Sequence, residues 1–244
     1  MRIGVFDSGI GGLTVLKELM KYHPEQDYIY FGDTKNLPYG TKSKEELLSV
    51  ASKVVEFLIE QGSQIIFIAC GTVSSNIYQE LSSKYDIPIV NIIDATVAEM
   101  KRRKITDLAV IATPATINSH IFKDKLCDIN VMEISCSQFV PIIENKIDSK
   151  LKQIYVEQYL KDVKREGIKD LVLGCTHYPL LEKDIQNYLG DINCYNMGTI
   201  LAVNTYLKPG NKSLNIYFSH NYDGLKDKVN EILEQKVVII EQEV

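Results

Sequence analysis

The chain has no basic excess, no long apolar run and no paired-cysteine motif, and each absence removes a class of function. A formal net charge of −5 over 244 residues argues against a nucleic-acid surface, which needs a basic stripe. It leaves room for an anionic small substrate, because a local site in an acidic protein can be positive. No stretch approaches the roughly 20 consecutive apolar residues of a membrane span. The longest runs, such as 65–70 and 171–173, have the length of strands. The opening MRIGVFDSG reads as a buried strand, without the basic and then apolar regions of an export signal. Five cysteines, an odd number with no CxxC spacing, do not make a disulfide framework. A cytoplasmic, reducing compartment is therefore expected, and there a cysteine is either a small core hydrophobe or a reagent.

What is present is an alternation of short apolar strands and amphipathic helices. Strands are expected at 2–6, 27–32, 64–70, 87–93, 108–113, 130–134, 170–174 and 214–219. Helices are expected at 13–22, 44–61, 73–84, 118–126, 150–166, 179–189 and 224–234, with a charged patch at 101–104 and a turn-rich break at 208–211. This order implies an α/β fold whose parallel sheets are covered by helices. The strand counts suggest two such sheets.

Two cysteines occupy equivalent places in that pattern. Cys70 ends Ile65-Ile66-Phe67-Ile68-Ala69 and precedes Gly71, Thr72 and a helix. Cys175 ends Leu171-Val172-Leu173-Gly174 and precedes Thr176, His177 and a helix. Ligands bind in the crevice outside strand carboxyl ends, where helix N-termini favour anions and lower a thiol's pKa. Two acid/base groups on opposite sides of one carbon are what a racemase without a cofactor needs: one takes the α-proton, the other returns a proton to the opposite face. The plainer alternative is a pair of buried small residues; Cys127, Cys136 and Cys194 lack such surroundings and are expected to be structural.

Other residues carry a bland reading beside a chemical one. Asp7 can be a helix cap, His177 a satisfied surface histidine, Glu144 a solvated charge and Tyr39 a packing ring. The Gly9-Ile10-Gly11-Gly12 turn invites a dinucleotide reading with Asp33 as the ribose acid, but Thr14 stands where the third glycine belongs. Zinc is disfavoured, because Cys175 and His177 are too close in sequence to complete a four-ligand set with the scattered remainder.

Several stretches together resemble the glutamate racemases of the aspartate/glutamate racemase family. They are Asp7-Ser8-Gly9-Ile10-Gly11-Gly12-Leu13, Pro38-Tyr39-Gly40, Phe139-Val140-Pro141-Ile142-Ile143-Glu144 and Leu173 to Leu181 (LGCTHYPLL). The resemblance implies two similar doubly wound domains with the active site in the cleft between them: 1–94 completed by 208–244, and 95–207. It implies a cofactor-independent enzyme, with Cys70 and Cys175 as proton acceptor and donor and with Asp7, His177 and Glu144 assisting. Asp7, Ser8, Pro38, Tyr39, Gly40, Gly71, Thr72, Thr113, Thr116, Thr176 and His177 would bind the substrate. The product, D-glutamate, would feed peptidoglycan synthesis, and a homodimer is expected, with no nucleic-acid or membrane partner. Two departures stand out. Gly71 occupies a position where the family usually has asparagine; loss of a hydrogen bond to a charged group costs about 1.5–3 kcal/mol, or roughly 10- to 100-fold in binding. That would weaken glutamate binding, shift preference to aspartate or another amino acid, or leave a weak amino-acid-binding relative. Asn196-Met197-Gly198 replaces the family's usual Asp-Ser-Gly.

Overall fold

A computed structural model describes residues 1–145 and 147–244. Its strands are β1 (Arg2–Asp7), β2 (Asp27–Gly32), β3 (Ile65–Ile68), β4 (Ile89–Asn91), β5 (Asp107–Ala112), β6 (Asn130–Ser135), β7 (Asp170–Leu173), β8 (Asn193–Asn196), β9 (Leu214–Phe218) and β10 (Ile239–Glu241). They form two sheets, ordered β10-β9-β2-β1-β3-β4 and β6-β5-β7-β8, and every pairing is parallel. Ile3, Val5 and Phe6 in β1 and Leu108 to Ala112 in β5 are fully buried. Central parallel strands are covered on both faces, so their sequences are continuously apolar instead of alternating. Among the described residues no helix is long and apolar enough to cross a membrane.

In each sheet the chain starts in the middle and reverses direction. β1 lies between β2 and β3, and β5 lies between β6 and β7. The reversal leaves a crevice between the carboxyl ends of the two strands that diverge from it, which is where doubly wound sheets bind ligands. Asp7 and Cys70 lie at one such point, Thr113 and Cys175 at the other.

Several element boundaries differ from the sequence expectation. The strand expected at 87–93 stops at Asn91, whose side-chain oxygen accepts the N–H of Ile93 at 2.7 Å and starts a helix over Ile92–Arg103. The charged patch is that helix's last turn, where cations complement the dipole. The helix expected at 73–84 is two helices, Gly71–Asn76 and Tyr78–Lys84, broken at Ile77 where φ is −136°. The helix at 118–126 is likewise divided into Pro114–Asn118 and Ile121–Lys125 around His120, which is left-handed. The expected helix at 179–189 begins as a 3-10 turn over Tyr178–Leu181. The helices Phe139–Glu144 and Met197–Asn204 and the strands β8 and β10 were not anticipated. They are short, and β8 (Asn-Cys-Tyr-Asn) lacks the apolar signal of a strand.

Candidate active site

Both switch points open into one cavity of about 400 Å³. Cys70, Asp7, Ser8, Gly71 and Thr72 line it from the first sheet's side, together with Pro38, Tyr39 and Gly40 from the loop after β2. Cys175, Thr176, His177, Glu144, Thr113 and Thr116 line it from the second sheet's side. Every residue that the family resemblance assigns to the site thus reaches the same space. Ser137, Val140 and Pro141, which also line it, carried no chemical signal in the sequence beyond their place in a family-like stretch.

On the first side, Asp7 is almost fully buried at the end of β1. Its Oδ2 accepts the backbone N–H groups of Gly12 at 2.8 Å and Gly9 at 3.2 Å, which fixes the glycine turn. Its Oδ1 is buried without a hydrogen-bond partner. The helix that follows is capped by Gly12 without a side-chain bond, so Asp7 is not its N-cap: one oxygen fastens the turn and the other is left unpaired. Burial raises its pKa above the ordinary value, against the opposing charge of His177 and the bonds from Gly12 and Gly9. Cys70 Sγ lies 3.6 Å from Ser8 Oγ. Burial, with the Asp7 carboxylate second, pushes the Cys70 thiol up to about 12, against backbone N–H groups of Val73 and Thr72. The sequence argument expected the helix N-terminus to lower this pKa. The helix it caps is only six residues long, and desolvation outweighs it.

On the second side the arrangement is different. No helix starts at Cys175; a turn intervenes before the 3-10 segment at Tyr178. What faces its sulfur is His177, whose Nδ1 is 3.9 Å from Sγ and whose Nε2 is 2.8 Å from Glu144 Oε1. Burial disfavours charge on His177, but the hydrogen bonds to Cys175 and Glu144 prevail and raise its pKa to about 10. Burial also opposes charge on Glu144, yet the His177 hydrogen bond carries its pKa below the usual range. His177 is thus a buried partner of Glu144, not a surface residue.

The two sides meet closely. A Cβ at Gly11 would stand 2.4 Å from His177 Nδ1 and from Thr176 Oγ1, so only glycine lets the first turn approach the second cysteine's segment. Thr14, the residue that broke the dinucleotide pattern, puts its Oγ1 2.7 Å from the Thr176 carbonyl. A Cβ at Gly71 would lie 3.1 Å from the Gly174 carbonyl and 3.3 Å from Thr116 Oγ1. Tyr39 is buried, its ring edge-on to Phe6 and its hydroxyl 2.6 Å from Asp33 Oδ2. Its contribution to the cavity therefore comes from its ring and backbone and not from a free phenol.

The model of the Asp/Glu/hydantoin racemase family matches residues 12–203. The chain belongs to that family. This racemase is 41% identical to a glutamate racemase of Hydrogenobaculum sp., over 97% of its own length and 94% of the relative's. It is 36% identical to one of Aquifex aeolicus, over 97% and 96% of the two chains. Its structure superposes on that of glutamate racemase from Francisella tularensis in complex with D-glutamate with a TM-score of 0.86. There the identity is 31%, with 100% of this racemase and 97% of that chain covered. Like those structures it is an α/β protein of two parallel sheets.

Proposed function

We propose that the racemase interconverts L- and D-glutamate without a cofactor, using Cys70 and Cys175 as opposed acid/base groups. The observation that carries this reading is that one cavity takes one cysteine from each sheet's switch point, each with its own ionisable neighbour. The glutamate racemases among its relatives, one of them holding D-glutamate, support the choice of substrate. One sulfur removes the α-proton while the other delivers a proton to the opposite face. His177, charged and 3.9 Å from Cys175 Sγ, stabilises negative charge developing on that sulfur. On the other side burial, and second to it the Asp7 carboxylate, hold Cys70 as a thiol; the substrate's ammonium group, arriving beside Asp7, offsets the carboxylate's part. Thr72, Thr113, Thr116 and Thr176 and the backbone N–H groups at the strand ends act as donors to the substrate carboxylate, where charge develops in the transition state.

The domain division that goes with this reading is 1–94 plus 208–244 against 95–207, in keeping with the sheet membership of β9 and β10. A cytoplasmic homodimer supplying D-glutamate to peptidoglycan synthesis is the corresponding biological role. The test is incubation with L-glutamate in D₂O, following loss of the Cα–H signal by NMR. Exchange with glutamate and none with aspartate is the expected result. Exchange with aspartate alone would reassign the substrate, and binding of glutamate without exchange at any pH would make the chain a binding protein.

A further inference from the structure

The loop after β2 reaches the cavity through Pro38, Tyr39 and Gly40, and a buried carboxylate outside the cavity holds it there. Asp33, fully buried, accepts the Tyr39 hydroxyl on Oδ2 at 2.6 Å and the Ser219 hydroxyl on Oδ1 at 2.6 Å. Asn36 Nδ2 stands 3.0 Å from both oxygens. Ser219 Oγ, just past β9, in turn accepts the Lys35 N–H at 2.9 Å. The loop is therefore fastened at its start, at Asn36 and at Tyr39 to one side chain, and through Ser219 to the C-terminal segment.

We propose that Asp33 is a positioning residue for substrate binding: its bond to the Tyr39 hydroxyl fixes where the backbone of 38–40 presents itself to the ligand. This rests on the reading of the cavity as the glutamate site. Asp33 touches neither sulfur nor cavity, so its loss should act on binding and spare proton transfer. Tyr39→Phe removes the donor but keeps the ring against Phe6. It should raise KM for glutamate about tenfold while kcat changes less than about threefold, because a loop no longer held in place must be ordered at the expense of binding. Asp33→Asn should do at least as much. The double variant should be no worse than the worse single one, because the two residues act through one bond.

The dissociation constant of glutamate, measured by calorimetry on the same variants, reads the loop independently of turnover. Tyr39→Phe is the decisive variant should Asp33→Asn fail to fold. Unchanged KM and Kd in Tyr39→Phe, an effect on kcat alone, or additive effects in the double variant would each overturn the proposal. Wild-type protein that binds glutamate without exchanging its α-proton overturns the racemisation reading instead, and the positioning role is then judged on Kd. Absence of both binding and exchange overturns the two together.

Discussion

The Nε2 atom of His177 lies 2.8 Å from Oε1 of Glu144, and the other ring nitrogen faces Cys175. A buried imidazole held between a carboxylate and a sulfur stays charged far above the usual range, to about 10. Its folded pKa exceeds the roughly 6.5 of a free histidine. The contribution of His177 to stability is therefore complete below about 6.5 and lost as pH rises through about 10. Glu144 is shifted the other way, so its share is present above the ordinary glutamate range and fades as pH falls through its lowered pKa. Glu144→Gln should lower the His177 pKa by about one unit or more, read from its ring-proton shifts by NMR, with His177→Gln identifying the resonance. A titration that does not move would assign the whole effect to Cys175.

The two cysteines make a sharper prediction. Cys70→Ala and Cys175→Ala should each reduce racemisation by about 10²- to 10⁴-fold or more, the usual worth of a positioned acid or base, with circular dichroism unchanged. In D₂O the wild-type reaction should place deuterium in the newly formed enantiomer early, while recovered substrate keeps its proton, because each face has its own base. Full activity in either alanine variant would remove the two-base assignment. Early labelling of the recovered substrate to the same extent as the product would also count against separate bases.

Cys70 and Cys175 are legible in the sequence because each ends a parallel strand, at the carboxyl edge of its sheet, whether a helix follows at once, as at Cys70, or after a turn, as at Cys175. Helix 13–22 was legible from its helical apolar period, and β2 from a short continuous apolar run ended by Gly32. The environments of the sulfurs were not. Whether a thiol at a strand end is favoured as thiolate depends on desolvation against local N–H groups, and desolvation is a property of the closed cleft. Asp33 shows the same gap. Its spacing from the glycine turn invited only a ribose reading, which Thr14 already disfavoured, whereas Ser219, the partner that fixes its role, arrives from 186 positions away.

Gly71 can be judged on geometry. The sequence reading suggested that asparagine there would restore a substrate contact. A Cβ at this position would press on the Gly174 carbonyl at 3.1 Å and on Thr116 Oγ1 at 3.3 Å, one of them backbone. Over-packing of this kind costs about 1–3 kcal/mol, comparable to the hydrogen bond it would gain. Gly71→Ala, which adds the clash without the donor, should therefore lower kcat/KM for glutamate about tenfold. Gly71→Asn should show no gain, because the contact with the Gly174 carbonyl offsets the hydrogen bond that the amide would offer. A clear rise in kcat/KM for Gly71→Asn alone would show that the cleft yields freely at this contact.

Asn196 answers the other departure from the family pattern. Its Oδ1 accepts the N–H of Gly198 at 2.8 Å and lies 3.4 Å from that of Thr199, capping the helix Met197–Asn204 that packs between helices Leu13–Tyr22 and Ile92–Arg103. Capping needs only an oxygen, so asparagine replaces aspartate without loss, and Asn196→Ala should cost about 0.5–2 kcal/mol in urea unfolding. An aspartate would add about 0.3–1 kcal/mol by its charge at a helix N-terminus. Here, however, Glu18 and Glu182 line the same pocket as Asn196, along with Lys21 and Arg103, and burial together with Glu18 still raises the Glu182 pKa. Like charge should cancel the dipole's benefit, so Asn196→Asp should leave the unfolding midpoint unchanged near neutral pH. The gain should emerge in a Glu182→Gln background. A stabilised Asn196→Asp single variant would mean that these acids do not set the residue at this position.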